Sequence, residues 1–273
     1  MTMQTRTELW DEIAGKLVVP ETLSLWWLYQ AGLVIKSPGG TICAIDPYLS
    51  DACFRSDGPA RAVPALIDAA SAALDALVVT HSHADHLDPD SVTGFMSHPG
   101  TRFVGPPLAV EKVVRAGVEP SRTVAVRRGS FVEVGDITLR AVHARHYVAS
   151  EPTPDAVGYL VEHDGVRVYH SGDTEYDSGI VVDTMRTSAS LIAINGTGGN
   201  MNAHEAAMLA WRQQTRLATP IHYGLWQDEG YGDGATLDPQ LFVDTYYRLN
   251  PEGRTLVLTG GKEVVVDANG LSV

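Results

Sequence analysis

Apolar residues recur along this chain in short bursts separated by Gly, Pro, Asp and Asn, the spacing of strands and turns rather than of long helices. Leu23–Leu28, Leu33–Lys36 and Ile42–Ile45 form a first group of strands, and Ser37-Pro38-Gly39-Gly40 makes the turn between the last two. Ala76–Val79, Phe103–Val104 and Thr123–Val126 follow. Phe131–Val134 and Ile137–Val142 alternate around Gly135-Asp136 as a hairpin. Val157–Glu162 and Val166–His170 make a second one around His163-Asp164-Gly165. Leu191–Ile194, Ala218–Ile221, Leu256–Leu258 and Glu263–Val266 complete the predicted strands.

Helical patterns fall between these bursts. Leu9–Ala14 and Leu66–Ala73 read as short helices. Asp88 supplies an N-cap with Pro89 at the first helical position, and Pro107–Ala116 is stopped by Gly117. Asn202–Arg216 starts with Asn202 and Glu205 at capping-box spacing, and Asp238 caps a helix running through Arg248. Asp57–Ala65 reads as loop. Hairpins mixed with strand–helix units predict an α/β protein of two mixed sheets with outer helices. The short connections predict one domain over residues 1–273.

Composition narrows the function. Hydrophobic residues are 44% and charged residues 19%, which excludes a disordered chain. Lys plus Arg is 20 against 33 Asp plus Glu, a net charge of −13, so extended nucleic-acid binding is disfavoured. Two cysteines make neither a disulfide framework nor a Cys-rich zinc site, and they suit a reducing compartment. No apolar run reaches the roughly 18 residues of a membrane span. The opening MTMQTRTELWDEIAGK has acids where a signal peptide needs an apolar core. The expectation is a cytoplasmic protein acting on a small molecule, anionic ones included, away from membranes and nucleic acid.

The chemistry starts at His81-Ser82-His83-Ala84-Asp85-His86, directly after an apolar strand. Residues two apart in an extended segment face one side, so His81 and His83 can grip one ion together. Asp85 and His86 lie where the chain turns and can point at a second ion. Imidazole with carboxylate suits zinc, iron or manganese. Three later strand ends offer further ligands: Ala141-Val142-His143-Ala144-Arg145-His146, His170-Ser171-Gly172-Asp173 and Pro220-Ile221-His222. Singly, Asp173 suits a turn, His222 a buried structural histidine, and His170 packing. His143 and His146 compete for one role. Together they suggest loops gathered on one face at strand ends.

This order resembles the metallo-β-lactamase superfamily, in particular its L-ascorbate-6-phosphate lactonase-like branch. Four segments carry the likeness: VVPETLSLWWLYQAGLVIKSPGGTICAIDPYLS at 18–50, VTHSHADHLDPDS at 79–91, YHSGDTEYDS at 169–178, and MNAHEAAMLAW with PIHYGLW between 201 and 226. The resemblance implies a four-layer αββα sandwich of two mixed sheets with outer helices, and two divalent metal ions per chain, zinc foremost with manganese or iron as alternatives. It implies one metal on His81, His83 and His146, the other on Asp85, His86 and His222, and Asp173 bridging both. His146 rather than His143 takes the ligand place because it ends the family's AVxAxH pattern. Asp46 is expected to hydrogen-bond the HxHxDH loop and orient ligands. His146 stands where the named lactonases have a carboxylate, so the resemblance leaves phosphosugar specificity open. It also mildly favours a homo-oligomer.

The implied activity is hydrolysis of a small ester or lactone by a metal-bridging hydroxide, with Asp173 and Asp85 as catalytic carboxylates. Candidate substrate contacts beside the ligands are His143, Arg145, Tyr147, Thr197, Asn200, Tyr223 and Trp226. Competing readings are a phosphodiesterase or nuclease on the same fold and a metal-binding protein without turnover. Arg127-Arg128 is the only adjacent basic pair, which ranks a nuclease lower; a degenerate ligand set would favour a non-catalytic protein, and none of the expected ligands is missing.

Overall fold

The computed structural model describes residues 5–271. Among the described residues, fourteen strands form two mixed sheets. The first runs Gly270–Leu271, Glu263–Asp267, Thr22–Trp27, Leu33–Lys36, Ile42–Ile45, Ala76–Val78, Arg102–Gly105 and Thr123–Ala125. Its first five strands pair antiparallel and the rest parallel. The second runs Leu217–Ile221, Ala189–Ala193, Val166–His170, Val157–His163, Ile137–His143 and Phe131–Val134. There the two predicted hairpins are antiparallel, and the two strands beyond them are parallel.

The side-chain period of two explains the layering. Leu23, Leu25 and Trp27 face inward with Leu33, Ile35, Cys43 and Ile45, against Leu139, Tyr159 and Val161 of the second sheet. Their neighbours Trp26, Leu28, Val34 and Ala44 face outward, under Leu9, Trp10 and Ile13 of helix Arg6–Gly15 and Phe95 of helix Pro89–Met96. Helix Ala203–Arg212 covers the other sheet and packs on helix Pro239–Leu249. Both faces of these strands are buried, which is why the central bursts read as continuous apolar runs. The result is the expected αββα sandwich. No helix of the described residues is long and apolar enough to cross a membrane.

Several elements differ from the sequence reading. Leu66–Ala73 is a series of turns rather than a helix: the Asp68 carboxylate accepts from the Ala70 amide and the Ser71 hydroxyl, competing with helical bonding. Leu256–Leu258 is no strand, and the segment touches the sheet through one bridge between Thr255 and Ala218. The helix from Asn202 stops at Arg212, because Gln214 turns left-handed at φ 55° to start the strand at Leu217. A helix at Ser178–Thr184, capped by Asp177, has no clear sequence signal because Gly179 and two adjacent valines weaken its helical pattern.

Candidate metal centre

All the proposed ligands stand at or just beyond the C-terminal ends of strands. Strand Ala76–Val78 leads into Thr80 and the HxHxDH loop, and strand Ile42–Ile45 ends at Asp46 beside it. The Asp46 carboxylate accepts from the Thr80 amide at 2.8 Å and the Thr80 hydroxyl at 2.5 Å, and faces His86 Nδ1 at 2.8 Å. Asp46 thus holds both the start of the loop and one imidazole. Asp88 completes the loop's exit by accepting from the Leu49 and Ser50 amides while capping the next helix.

Strand Val166–His170 delivers Asp173 through Gly172, which is left-handed at φ 55°. A Cβ at Gly172 would lie 2.7 Å from the Thr80 side chain, so only glycine lets the two loops approach. Strand Leu217–Ile221 delivers His222, itself at φ 67°. His146 follows strand Ile137–His143, and Gly199 closes behind it: a Cβ there would meet the Tyr147 carbonyl at 2.8 Å.

The side chains gather into three overlapping groups: His81, His83 and His146; His81, His86 and Asp173; Asp85, His86 and His222. His83 Nδ1 is 3.0 Å from His81 Nε2 and 3.2 Å from His146 Nε2. His86 Nε2 and His222 Nε2 are 3.2 Å apart, and both approach Asp173 Oδ1, at 3.1 and 2.9 Å. Asp85 Oδ2 lies 3.5 Å from His86 Nε2 and 3.6 Å from His222 Nε2. Asp173 Oδ2 lies 3.9 Å from His146 Nε2 and accepts from Asn200 at 2.8 Å.

These residues fit divalent metal ions. Nitrogens about 2.0–2.1 Å from one zinc are held a little over 3 Å from each other, the spacing seen here. Asp173 Oδ1 makes no hydrogen bond although it is buried between two imidazoles, as expected of an atom aimed at a shared point. The far nitrogens are fixed in ligand fashion: His83 Nε2 is 2.7 Å from the Glu151 carbonyl and His146 Nδ1 3.1 Å from the Gly199 carbonyl.

The charges divide the same way. Burial, assisted by the neighbouring His86, holds His81 well below its usual pKa, and burial lowers His146. Burial works against ionisation of Asp85 and Asp173, yet His86 and His222 prevail, holding Asp85 at about 2 and Asp173 well below the carboxylate range. Burial likewise works against protonation of His86 and His222, and the Asp173 charge outweighs it, raising His222 to about 9. The site therefore offers neutral imidazoles beside two carboxylates, with protons at His86 and His222 that cations can displace.

A cleft of about 390 Å³ opens on this edge and is lined by His83, Asp85, Asp173 and His222 among others. Of the substrate candidates, Thr197, Asn200 and Trp226 line it. Thr197 spends its hydroxyl on the Tyr231 carbonyl. Four others do not line it. His143 turns to Asp177 at 3.4 Å, Arg145 to Glu175 at 3.1 Å, Tyr147 is 62% exposed, and Tyr223 packs its ring on Trp27. Adjacency to a ligand in sequence misleads here because successive residues of an extended segment point to opposite sides. His170 is a packing residue, bonded to the Ala31 carbonyl at 2.7 Å. Gln30, Glu151, Asn195 and Tyr231 lie outside the expected site residues: Gln30 falls in the stretch 18–50 with no ligand group to single it out, and the other three belong to no motif.

A two-sheet sandwich with histidines and aspartates clustered at its strand ends defines a hydrolase of the metallo-β-lactamase fold that is suited to metal binding. Residues 43–223 match the beta-lactamase superfamily domain, and the chain belongs to that family. It is 26% identical over 263 residues to a protein of Salmonella heidelberg (strain SL476) named "Probable L-ascorbate-6-phosphate lactonase UlaG", covering 80% of this chain and 74% of that one. Among solved structures it is similar to Igni18, a metallo hydrolase from the archaeon Ignicoccus hospitalis KIN4/I, with TM-score 0.68, 17% identity, and coverage of 89% and 98%. It is also similar to the metallo-beta-lactamase fold protein YhfI from Bacillus subtilis, with TM-score 0.66, 15% identity, and coverage of 90% and 99%.

Proposed function

We propose that this protein is a binuclear metal-dependent hydrolase of small, uncharged esters or lactones. The observation that carries this reading is Asp173, whose Oδ1 faces His86 and His222 while its Oδ2 faces His146. One carboxylate addresses both ligand clusters. His81, His83 and His146 would hold one divalent ion and Asp85, His86 and His222 the other, with zinc first in order and manganese or iron as alternatives. Such ions, when bound, supply Lewis acidity: they bring the pKa of water from 15.7 towards about 7 and stabilise the oxygen on which charge develops.

The chain's own residues do the rest. Asn200 donates to Asp173 Oδ2 and restrains that carboxylate from rotating. Asp85 and Asp173 both line the cleft and present carboxylate oxygens that can accept a hydrogen bond from the attacking water. No lysine or arginine is among the described residues lining the cleft, and the Glu151 carboxylate on its wall is paired with Lys112. That lining favours an ester or lactone without a phosphate, and it disfavours a nucleic-acid backbone.

The test is metal content by plasma mass spectrometry on untagged protein purified without chelator. A screen of lactones, aryl esters, their phosphorylated counterparts and a bis-aryl phosphodiester follows. About two transition ions per chain and turnover of the uncharged lactones or esters are expected. Fewer than one ion, with none taken up on reconstitution, would sink the binuclear mechanism. Preference for the phosphodiester would replace the substrate class.

A further inference from the structure

Gln30 sits in the turn between strands Thr22–Trp27 and Leu33–Lys36. It is wholly buried and left-handed at φ 51°, after Tyr29 at φ 69°. Side chains other than glycine persist in that conformation where the surroundings over-determine it. Here the determinants can be counted off. The Gln30 carbonyl accepts from the Trp27 indole at 2.9 Å and from the backbone amide of His222 at 2.9 Å. Its side-chain Oε1 accepts from the Tyr231 hydroxyl at 2.8 Å. Its Nε2 donates to Asp85 Oδ2 at 3.2 Å and stands 3.2 Å from His222 Nε2.

The amide can face only one way. The Tyr231 hydroxyl accepts from the Leu225 amide at 3.0 Å and the Trp226 amide at 3.5 Å, which takes up its acceptor positions, so its own proton goes to Gln30. Gln30 must present its oxygen there, which turns its amino group towards Asp85. The next residue, Ala31, accepts from His170 at 2.7 Å and so ties the same turn to the strand that leads to Asp173.

We propose that Gln30, locked by Tyr231, is the positioning residue of the Asp85, His86 and His222 cluster. Its backbone carbonyl sets where His222 leaves its strand, and its side chain sets which way the Asp85 carboxylate turns. It does so from 55 residues before one ligand and 192 before the other. A neutral donor suits this place: it holds a carboxylate in ligand geometry without adding charge. A carboxylate at position 30 would repel Asp85, and a thioether would leave both Asp85 and Tyr231 without their partner.

The inference rests on the metal-centre reading, and the experiment separates the two. Wild-type protein, Gln30→Met, Gln30→Glu and Tyr231→Phe are stripped of metal and titrated with Zn(II) against a competing chelator. Co(II) is used in parallel, read by its visible absorption, and thermal unfolding is followed on the stripped proteins. Wild type is expected to take up two ions. Both Gln30 variants should bind one of the two about 10–100-fold more weakly, with a changed Co(II) band, and bind the other normally. Tyr231→Phe should weaken the same ion by less.

Wild-type affinity and an unchanged Co(II) band in folded Gln30→Met would overturn the proposal. So would equal weakening of both ions together with lower thermal stability, which marks a general packing defect. If the Gln30 variants do not fold, Tyr231→Phe decides, and wild-type binding by it is the overturning result. A wild type that takes up no ion removes the metal centre itself and this proposal with it.

Discussion

The two ends of the sandwich each hold an aspartate in a network of hydroxyl and amide donors, and the two networks serve different ends. Asp46 ends strand Ile42–Ile45 on one edge, where it accepts from the Thr80 amide and hydroxyl and faces His86. Asp136 sits beyond the other end of that strand, where it accepts from Ser37 at 2.5 Å, Thr41 at 2.6 Å and the Gly39 amide at 2.9 Å. Those donors belong to a turn of the first sheet and Asp136 to a hairpin turn of the second, so Asp136 ties sheet to sheet. A Cβ at the neighbouring Gly135, which has φ 55°, would lie 2.0 Å from the Thr41 hydroxyl, so the two turns meet at contact distance. The chemistry is the same at both ends. What differs is where the histidine beside each aspartate leads: at one end His86, whose other nitrogen faces Asp173, and at the other His163, whose Nδ1 stands 3.5 Å from Asp136 and whose other nitrogen faces only the exposed Asp164. A carboxylate network becomes part of a site through what its partner does with its far side.

The sharpest way to break that comparison is at the shared ligand. Asp173→Ala should cut hydrolysis by at least the 10²–10³-fold, roughly, that follows loss of one group stabilising transition-state charge, and the bound metal should fall below two per chain. Normal metal content and turnover would remove Asp173 from the site. Next comes Asp46→Ala, which strands the Thr80 and His86 donors. It should lower metal affinity about 10–100-fold and cost about 1–3 kcal/mol in denaturant unfolding. Asp136→Ala should cost a similar 1–3 kcal/mol, roughly, for the orphaned donors at the other end, while turnover of the metal-loaded fraction stays at the wild-type value. Loss of activity per bound metal in this variant would erase the distinction between the ends.

The acid limb sharpens the comparison further. Burial opposes ionisation of Asp136, but the bonds from Ser37, Thr41 and Gly39 prevail and hold its pKa below the usual 3.8. A depressed folded pKa means the stabilisation is present above the unfolded value and is lost as pH falls through the folded one. Acid unfolding of the wild type below that ordinary value should therefore be steeper than that of Asp136→Asn. The smallest effect is expected at Lys112→Ala, where an exposed ion pair with Glu151 helps hold the loop whose carbonyl meets His83. A change of about 0.2–1 kcal/mol in stability is expected, with metal binding within a few-fold of wild type.

Much of this was legible along the chain. The strand bursts other than Leu256–Leu258, the Asp88 and Asn202 caps and the two hairpins stand where their patterns place them. His81, His83, Asp85 and His86 are close in sequence, and the later ligands follow recognisable strand ends. The choice between His143 and His146 was open from the residues alone. The structure turns His143 to Asp177 and brings His146 to His83, because the chain continues extended past the strand and rotates the second histidine inward. Arg145, Tyr147 and Tyr223 had no signal beyond adjacency, and adjacency does not determine direction. Gln30 and Tyr231 carry no motif; their partners lie far away in the chain.

The residue pattern determined what depends on chain neighbours: the period of each strand, the caps, the turn glycines, and a ligand loop whose histidines alternate onto one side. Such features are set by backbone geometry over a few residues, so they can be read without the fold. Tertiary structure decided everything that depends on distant strands arriving together. Gln30 reaches Asp85 and His222, Ser37 reaches Asp136, and Asp173 meets two histidine clusters because the sheets pack face to face and their strand ends coincide. Those contacts are side-chain bonds between residues tens to hundreds of positions apart, and only the burial of both sheets against one another brings them within reach.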